Sequence, residues 1–374
     1  MPDRAILVVS PNWLGDAVMA LPAIQDVRRR FEASRLIVAA RTSVSSLFAL
    51  VPGVDDVVSL EWRGRFLTHA AMRRDVTRLR DAHAGTAILL TNSFATAWLM
   101  KKAGIAERWG YSTDLRRPLL TRAIDRPSYS LHQGAYYQHL TRELGISSGP
   151  LEPEITVPGH QLKSARELLV SSGWDGKRSL VVMAPGAAYG TAKRWLPSYF
   201  ADVMTRLSRD VDVQCVLVGS AGDVATTVMV RDALSADARE SVIDLTGRTS
   251  LDTLAAVLSM AATCVSNDSG AMHLAAAAGA PMAALFGPTR EYETAPLPRA
   301  GRRVDVLINP VWCRPCMLRE CPIDHRCMRG LKSSRVLESV IALMDTTDRR
   351  HVPQPIGAVS PFRHASPEAR SRQG

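Results

Sequence analysis

Residues 265–289 read VSNDSGAMHLAAAAGAPMAALFGPT: the end of a strand-like segment, a polar turn, an Ala-rich stretch, a glycine and an apolar run. This is strand, turn, short helix, strand, the spacing of a parallel α/β unit. The turn is Asn267-Asp268-Ser269-Gly270, and the helix is expected to open at about Ala271. A helix start leaves backbone N–H groups unpaired and carries the positive end of the dipole, so it can hold a phosphate. Gly270 would let that phosphate approach the backbone. Asp268 and Ser269 are candidate caps, and His273 lies in the first turn with a phosphate oxygen or simple packing as its alternatives. The bland reading of the same residues is a capped helix in an α/β sheet.

The stretches around it repeat the alternation. Strand-like runs at 180–184, 213–218 and 242–244 are each followed by a polar loop and a helical stretch. The loop at 185–197, PGAAYGTAKRWLP, carries two glycines, Thr191 and the adjacent cations Lys193 and Arg194, which suits an anion. It lacks the GxxxxGK[ST] spacing of a P-loop. The turn at 219–223, GSAGD, lacks the full GxGxxG pattern, which weighs against a dinucleotide oxidoreductase. Thr249 or Ser250 is expected to cap the next helix. Asp210-Val-Asp212 formally matches a metal motif but reads as a surface turn.

The first half has the same grammar. Residues 5–9 (AILVV) read as a buried parallel strand, and the turn SPNWLGD at 10–16 feeds a helix expected over 17–30. A loop after the first strand of an α/β domain lies where ligands bind. Asp16 is therefore either a helix cap or a carboxylate base at the mouth of a cleft. Further strands are expected at 36–40, 57–60 and 87–90, with a basic amphipathic helix over 66–82. Arg73, Arg74, Arg78 and Arg80 of that helix read as a solvated face. Thr91-Asn92-Ser93-Phe94 is another cleft loop, and 114–126 is an irregular, Arg-bearing loop suited to an anionic acceptor. A helix over 131–144 places His132, Tyr136 and His139 on one face, most simply for packing. The Pro-rich stretch 147–158 is the expected linker. The expected division is 1–150, 151–345 and a polar, basic, disordered tail at 346–374.

Composition bounds the partners. The 374 residues hold 46 Lys and Arg against 36 Asp and Glu, a net charge of +10, which favours anionic partners without choosing among them. No run is long and apolar enough to span a bilayer, and no signal peptide is visible, so the expectation is a cytoplasmic chain, with contact at the inner-membrane face left open. Cys215 and Cys264 lie in apolar runs and read as packing. Cys313, Cys316, Cys321 and Cys327, with His325 among them, cluster within fifteen residues. In a reducing compartment such a cluster reads as a structural Zn²⁺ or iron site, or else as free thiols in a loop. Basicity and the cysteines together also admit a metal-stabilised nucleic-acid-binding protein, but no helix-turn-helix or aromatic-interleaved basic patch supports it.

Four segments resemble glycosyltransferase family 9, the bacterial lipopolysaccharide heptosyltransferases, and most resemble the heptosyltransferase II group. They are PNWLGDAVMALPA (11–23), PGAAYGTAKRWLP (185–197), NDSGAMHLAAAAGAP (267–281) and CRPCMLRECPIDHRCM (313–328). The resemblance implies a GT-B fold, two Rossmann-like α/β domains facing across a cleft, with acceptor on the first and donor nucleotide on the second. It implies an inverting transfer of heptose from ADP-heptose to the heptosyl-Kdo-lipid A inner core, with no cofactor or metal required for catalysis and no nucleic-acid partner. Another family 9 transferase with a different acceptor or donor is the close alternative. Residue by residue, Asp16 matches the general base and Lys193 the phosphate-contacting lysine. Asp268, Ser269, Gly270, Ala271 and His273 match the nucleotide-sugar loop, with Thr191 in the lysine loop and Thr249 near the adenine. Asp223 falls near the ribose. Asp268, being negative, is expected to hold a sugar hydroxyl or cap N–H groups rather than face a diphosphate.

Overall fold

The computed structural model describes residues 5–64 and 68–345. The basic tail at 346–374 and the expected start of the basic helix at Phe66 lie outside the described residues.

Among the described residues, twelve parallel strands form two six-stranded sheets. The first holds β1 (Ala5–Val9), β2 (Leu36–Arg41), β3 (Asp56–Leu60), β4 (Ala84–Leu89), β5 (Glu107–Tyr111) and β6 (Arg122–Ile124), in the order β3-β2-β1-β4-β5-β6. The second holds β7 (Ser179–Ala184), β8 (Val213–Leu217), β9 (Ile243–Asp244), β10 (Ala261–Asn267), β11 (Met282–Phe286) and β12 (Val304–Ile308), in the order β12-β11-β10-β7-β8-β9. Both are the doubly wound dinucleotide-fold order, so each sheet has one point where the winding reverses. That point lies between β1 and β4 in the first sheet and between β7 and β10 in the second. The two loops leaving each such strand pair diverge and open a crevice at the carboxyl edge.

Central strands are apolar because helices cover both faces: every residue of β1, β8 and β11 is buried. One apolar cluster is continuous between the sheets, from Ile6, Val8 and Ile24 through Ala256 and Leu274 to Val182 and Ala284. The two halves therefore face each other across packed helices. The linker region between the Gln133–Glu143 and Gly159–Ser171 helices has neither helix nor strand, and each sheet is built from one side of it. Arg299 pairs with Glu154 across this region at 2.6 Å.

Three expectations are corrected. The helix expected over 17–30 is two helices, Leu14–Met19 and Leu21–Arg30, broken at Ala20, with Pro22 in the opening turn of the second. Proline fits a helix start and cannot donate within one, so the chain restarts there. The strands β5, β6 and β12 were not expected, since Glu107-Arg-Trp-Gly-Tyr111 and Arg122-Ala-Ile124 are half-polar and only partly buried, with β6 and β12 at sheet edges. The basic helix spans His69–Asp81. Its Arg74 and Arg78 both pair with Glu61 at 2.6 Å, a solvated, charge-paired face. Among the described residues no helix is long and apolar enough to cross a membrane.

Candidate active site

The loops at the two reversal points bring together residues from both halves. Asp16 comes from the loop and helix after β1. It is not an N-cap, because Trp13 holds that position and Asp16 falls in the first turn. Its carboxylate accepts a hydrogen bond from the phenol of Tyr137, on the Gln133–Glu143 helix. Burial raises its pKa above the usual aspartate value. The Tyr137 bond and the charge of Lys193 oppose that rise, and the charge of Asp268 adds to it. Asp16 thus senses two residues of the opposite half.

Lys193 lies in the loop after β7, in the short 3₁₀ turn Thr191–Lys193. Its Nζ stands 2.6 Å from Asp268 Oδ2 and 4.8 Å from the ring centroid of Tyr189. The same Asp268 oxygen accepts from Thr289 Oγ1 at 2.6 Å, from the loop after β11. Asp268 therefore does not cap the helix; its Oδ2 is engaged by Lys193 and Thr289. It is the counter-ion that fixes Lys193. The loop itself is pinned by Asn267, whose Oδ1 accepts from the Trp195 amide at 3.0 Å and whose Nδ2 donates to the Pro185 carbonyl at 2.7 Å. Both bonds are fully buried, where an unpaired amide would cost most.

The helix after β10 spans Gly270–Ala278, one residue earlier than expected, with Ser269 at its N-cap and no side-chain capping bond. Ser269 Oγ instead lies 3.3 Å from Ser266 Oγ. The opening N–H groups of Gly270 and Ala271 are thus left for another acceptor. His273 is buried, and burial pulls its pKa down to about 4, so it is neutral near pH 7. Its ring lies against Gly15, where an added Cβ would fall 2.9 Å from Cδ2. Across the same gap an added Cβ on Gly270 would fall 2.7 Å from the Leu14 Cβ. The two helix starts meet through glycines because nothing larger fits.

Thr191 is exposed at the start of the lysine turn. Thr249 is not brought to the Lys193–Asp268 pair. It stands after β9, at the far end of the same carboxyl edge, and Ser250 rather than Thr249 caps the helix that follows, its Oγ accepting from the Thr253 amide. Asp223 closes a capping box with Ser220, and its carboxylate lies against Gly186.

On the first half, a cavity of about 200 Å³ opens at the carboxyl ends of β1 to β4, lined among others by Ser10, Asn12, Arg41, Arg63, Thr91 and Thr96. Burial and the charge of Arg63 lower the Arg41 pKa. Among the described residues no carboxylate pairs with either arginine. The Arg-bearing loop is held rather than loose: Arg116 is fully buried, donating to the Tyr111 and Thr91 carbonyls. His132, Tyr136 and His139 pack as expected, each with a hydrogen-bond partner: Ala295 O, Asn92 Nδ2 and Tyr111 Oη.

All six cysteines are free thiols. Cys327 is buried, and its thiol pKa is raised first by burial and then by Cys313, Cys321 and Cys316 nearby. Among the described residues no three His, Cys, Asp or Glu side chains are gathered as a metal site.

Sequence reading did not find Tyr137, Thr289 or the pinning role of Asn267. Tyr137 sits beside Tyr136 in a helix whose buried face only packing decides.

Comparison with known proteins places the chain in a family. Residues 72–326 match the family described as glycosyltransferase family 9 (heptosyltransferase). The lipopolysaccharide heptosyltransferase 2 of Escherichia coli K12 is 28% identical over 345 residues, covering 91% of this chain and 98% of that protein. The lipooligosaccharide heptosyltransferase 2 of Haemophilus influenzae is 29% identical over 298 residues, covering 78% of this chain and 86% of that one. Among solved structures, the E. coli ADP-heptose LPS heptosyltransferase II superposes with a TM-score of 0.78 at 26% identity, over 92% of this chain and all of that one. The fold is GT-B, and the chain belongs to glycosyltransferase family 9, as a glycosyltransferase.

Proposed function

We propose that this chain transfers heptose from ADP-heptose to a heptosylated Kdo-lipid A inner core at the membrane surface, with inversion at the anomeric carbon and without a catalytic metal. One observation carries the reading: Asp16 of the first half meets the Lys193–Asp268 pair of the second across the crevice. A base on one side and a fixed cation with open helix N–H groups on the other is the arrangement a glycosyl transfer needs.

The acceptor hydroxyl attacks the anomeric carbon from the face opposite the diphosphate and gives its proton to Asp16. The new C–O bond forms as the bond to the β-phosphate oxygen breaks, and ADP departs with that electron pair. A carboxylate whose pKa is raised by burial is a better proton acceptor near neutral pH than a fully solvated one. The Tyr137 phenol orients it. The charge gathering on ADP is met by Lys193 and by the N–H groups at Gly270 and Ala271, preorganised dipoles that do not reorganise during reaction. The acceptor enters over the first half, where Arg41 and Arg63 line a cavity with no acid of their own, suited to an anionic inner-core group.

The proposal extends to Cys313, Cys316, Cys321 and Cys327 as ligands of a structural Zn²⁺ or iron ion. Its support is four thiols within fifteen residues, which a bound ion would have to draw together, since their side chains are not gathered among the described residues. Elemental analysis should find about one metal per chain, and metal-free protein with four titratable thiols would contradict it.

The test of the transfer is a reaction of purified protein with ADP-heptose and EDTA, on Kdo-lipid A with and without its first heptose. A mass gain of one heptose only on the heptosylated acceptor supports the reading. Transfer only to the unheptosylated acceptor, or none without added divalent metal, contradicts it.

A further inference from the structure

The Cys-rich segment plays no part in the steps above, yet it is built onto the lysine loop. The Ala192 amide donates to the Arg319 carbonyl at 3.0 Å. The Tyr189 hydroxyl donates to the Met317 carbonyl at 2.9 Å. Gly190 runs so close under this segment that an added Cβ would lie 2.2 Å from the Arg319 carbonyl oxygen. At its other end the segment is tied to the loop after β11. Met317 N–H donates to the Pro288 carbonyl at 3.0 Å, and Arg314 donates to the Gly287 and Thr289 carbonyls at 2.7 and 3.1 Å. Thr289 in turn holds Asp268. The segment therefore bridges the loops that carry Lys193 and that steady its counter-ion.

It also brings a charge. The Arg319 guanidinium lies over the Tyr189 ring, 5.2 Å from the centroid, and Lys193 Nζ lies 4.8 Å from the same centroid. Two cations thus share one aromatic platform. Lys193 is neutralised by Asp268 at 2.6 Å. Arg319 is exposed, and among the described residues no carboxylate pairs with it. A nucleoside diphosphate carries more negative charge than a lysine already paired with an aspartate can offset. A guanidinium fork matches two phosphate oxygens at once.

We infer that Arg319 is a second donor-binding cation, contacting the diphosphate beside Lys193, and that the Cys-rich segment is the wall of the donor site that presents it. This rests on the nucleoside-diphosphate donor reading above. The test is calorimetric titration of the full chain with ADP and with AMP, without divalent metal. Native protein should bind ADP more tightly than AMP. Arg319→Gln should lose roughly ten-fold or more in ADP affinity, the loss of a charged hydrogen-bonding partner, while AMP affinity changes little. Arg319→Lys should fall between. Gly190→Ala, which keeps the Arg319 side chain but pushes its backbone off the lysine loop, should also weaken ADP selectively. Unchanged ADP affinity in Arg319→Gln, or equal losses for ADP and AMP, would overturn the inference and leave the donor reading standing. Native protein that binds neither nucleotide would instead remove the donor reading itself.

Discussion

At the carboxyl edge of the second sheet, Lys193, Asp268, Thr289 and Asn267 are bonded to one another or to the loops beside them. At the same edge of the first sheet, Arg41 and Arg63 face a cavity without an acid between them. The buried side-chain atoms Thr91 Oγ1, Asn92 Oδ1 and Arg116 Nη2 there have no partner, against Arg194 Nε and Thr246 Oγ1 at the second edge. The strand order is the same in both halves. The difference teaches that one edge is preorganised by its own internal pairs, while the other keeps two arginines at a cavity without a carboxylate partner among the described residues. A donor with a fixed diphosphate suits the first kind of edge, and a large anionic acceptor suits the second.

Substitutions separate the two edges. Asp16→Ala should lower turnover by about 10²–10⁴-fold, the usual worth of a positioned base, while ADP affinity by calorimetry stays near native. Near-normal turnover would remove Asp16 as the base. Lys193→Ala should weaken ADP binding and turnover together by roughly ten-fold or more, because it removes a phosphate cation and leaves the buried Asp268 unpaired. Asn267→Ala takes both anchors from the lysine loop. Thermal or urea unfolding should show a loss of about 1–3 kcal/mol, with a raised donor KM and little change in acceptor KM. The opposite pattern is expected of Arg63→Gln: a several-fold rise in acceptor KM and an unchanged donor KM. If Arg63→Gln moves the donor KM instead, the cavity belongs to the donor.

Two pH dependences follow. Asp16 must be ionised to take a proton and its pKa is raised, so activity should fall on acidification at a pH above that of a solvated aspartate. His273 has a folded pKa of about 4, below its unfolded value near 6.5. The unfolded chain therefore binds the extra proton between those values, and stability should fall as pH drops from about 6.5 to 4, by about 3 kcal/mol from this group at most. His132, also lowered by burial, acts in the same direction.

Much of this was legible in the residues. The run 265–289 holds the end of β10, a helix and β11 because a buried strand gives way to a polar turn, an Ala-rich helix and, after Gly279, a second continuous apolar run. The loops at 10–16, 185–197 and 267–270 were readable as strand-to-helix loops at the carboxyl edges, since each follows an apolar strand with Gly and a charged residue. β5, β6 and β12 were not legible, because the edge strands β6 and β12, and β5 beside one of them, are partly exposed and lose the apolar signature. Nor could the chain reveal that Asp268 serves Lys193, or that Tyr137 serves Asp16. Both are contacts between residues 75 or more positions apart or between neighbouring turns of different elements, fixed by packing rather than by local pattern. The role of the Cys-rich segment was hidden for the same reason: its spacing speaks of thiols, while its contacts with Tyr189, Gly190 and Ala192 run through backbone carbonyls.

The central claim is that the second edge is a preformed site for an ADP-sugar. Calorimetric titration of the purified chain with ADP, ADP-heptose, UDP-sugars and GDP-sugars, all in EDTA, tests it most directly. Selective binding of ADP and ADP-heptose is the predicted result. Preference for a uridine or guanosine donor, or binding that appears only when divalent metal is restored, would contradict it.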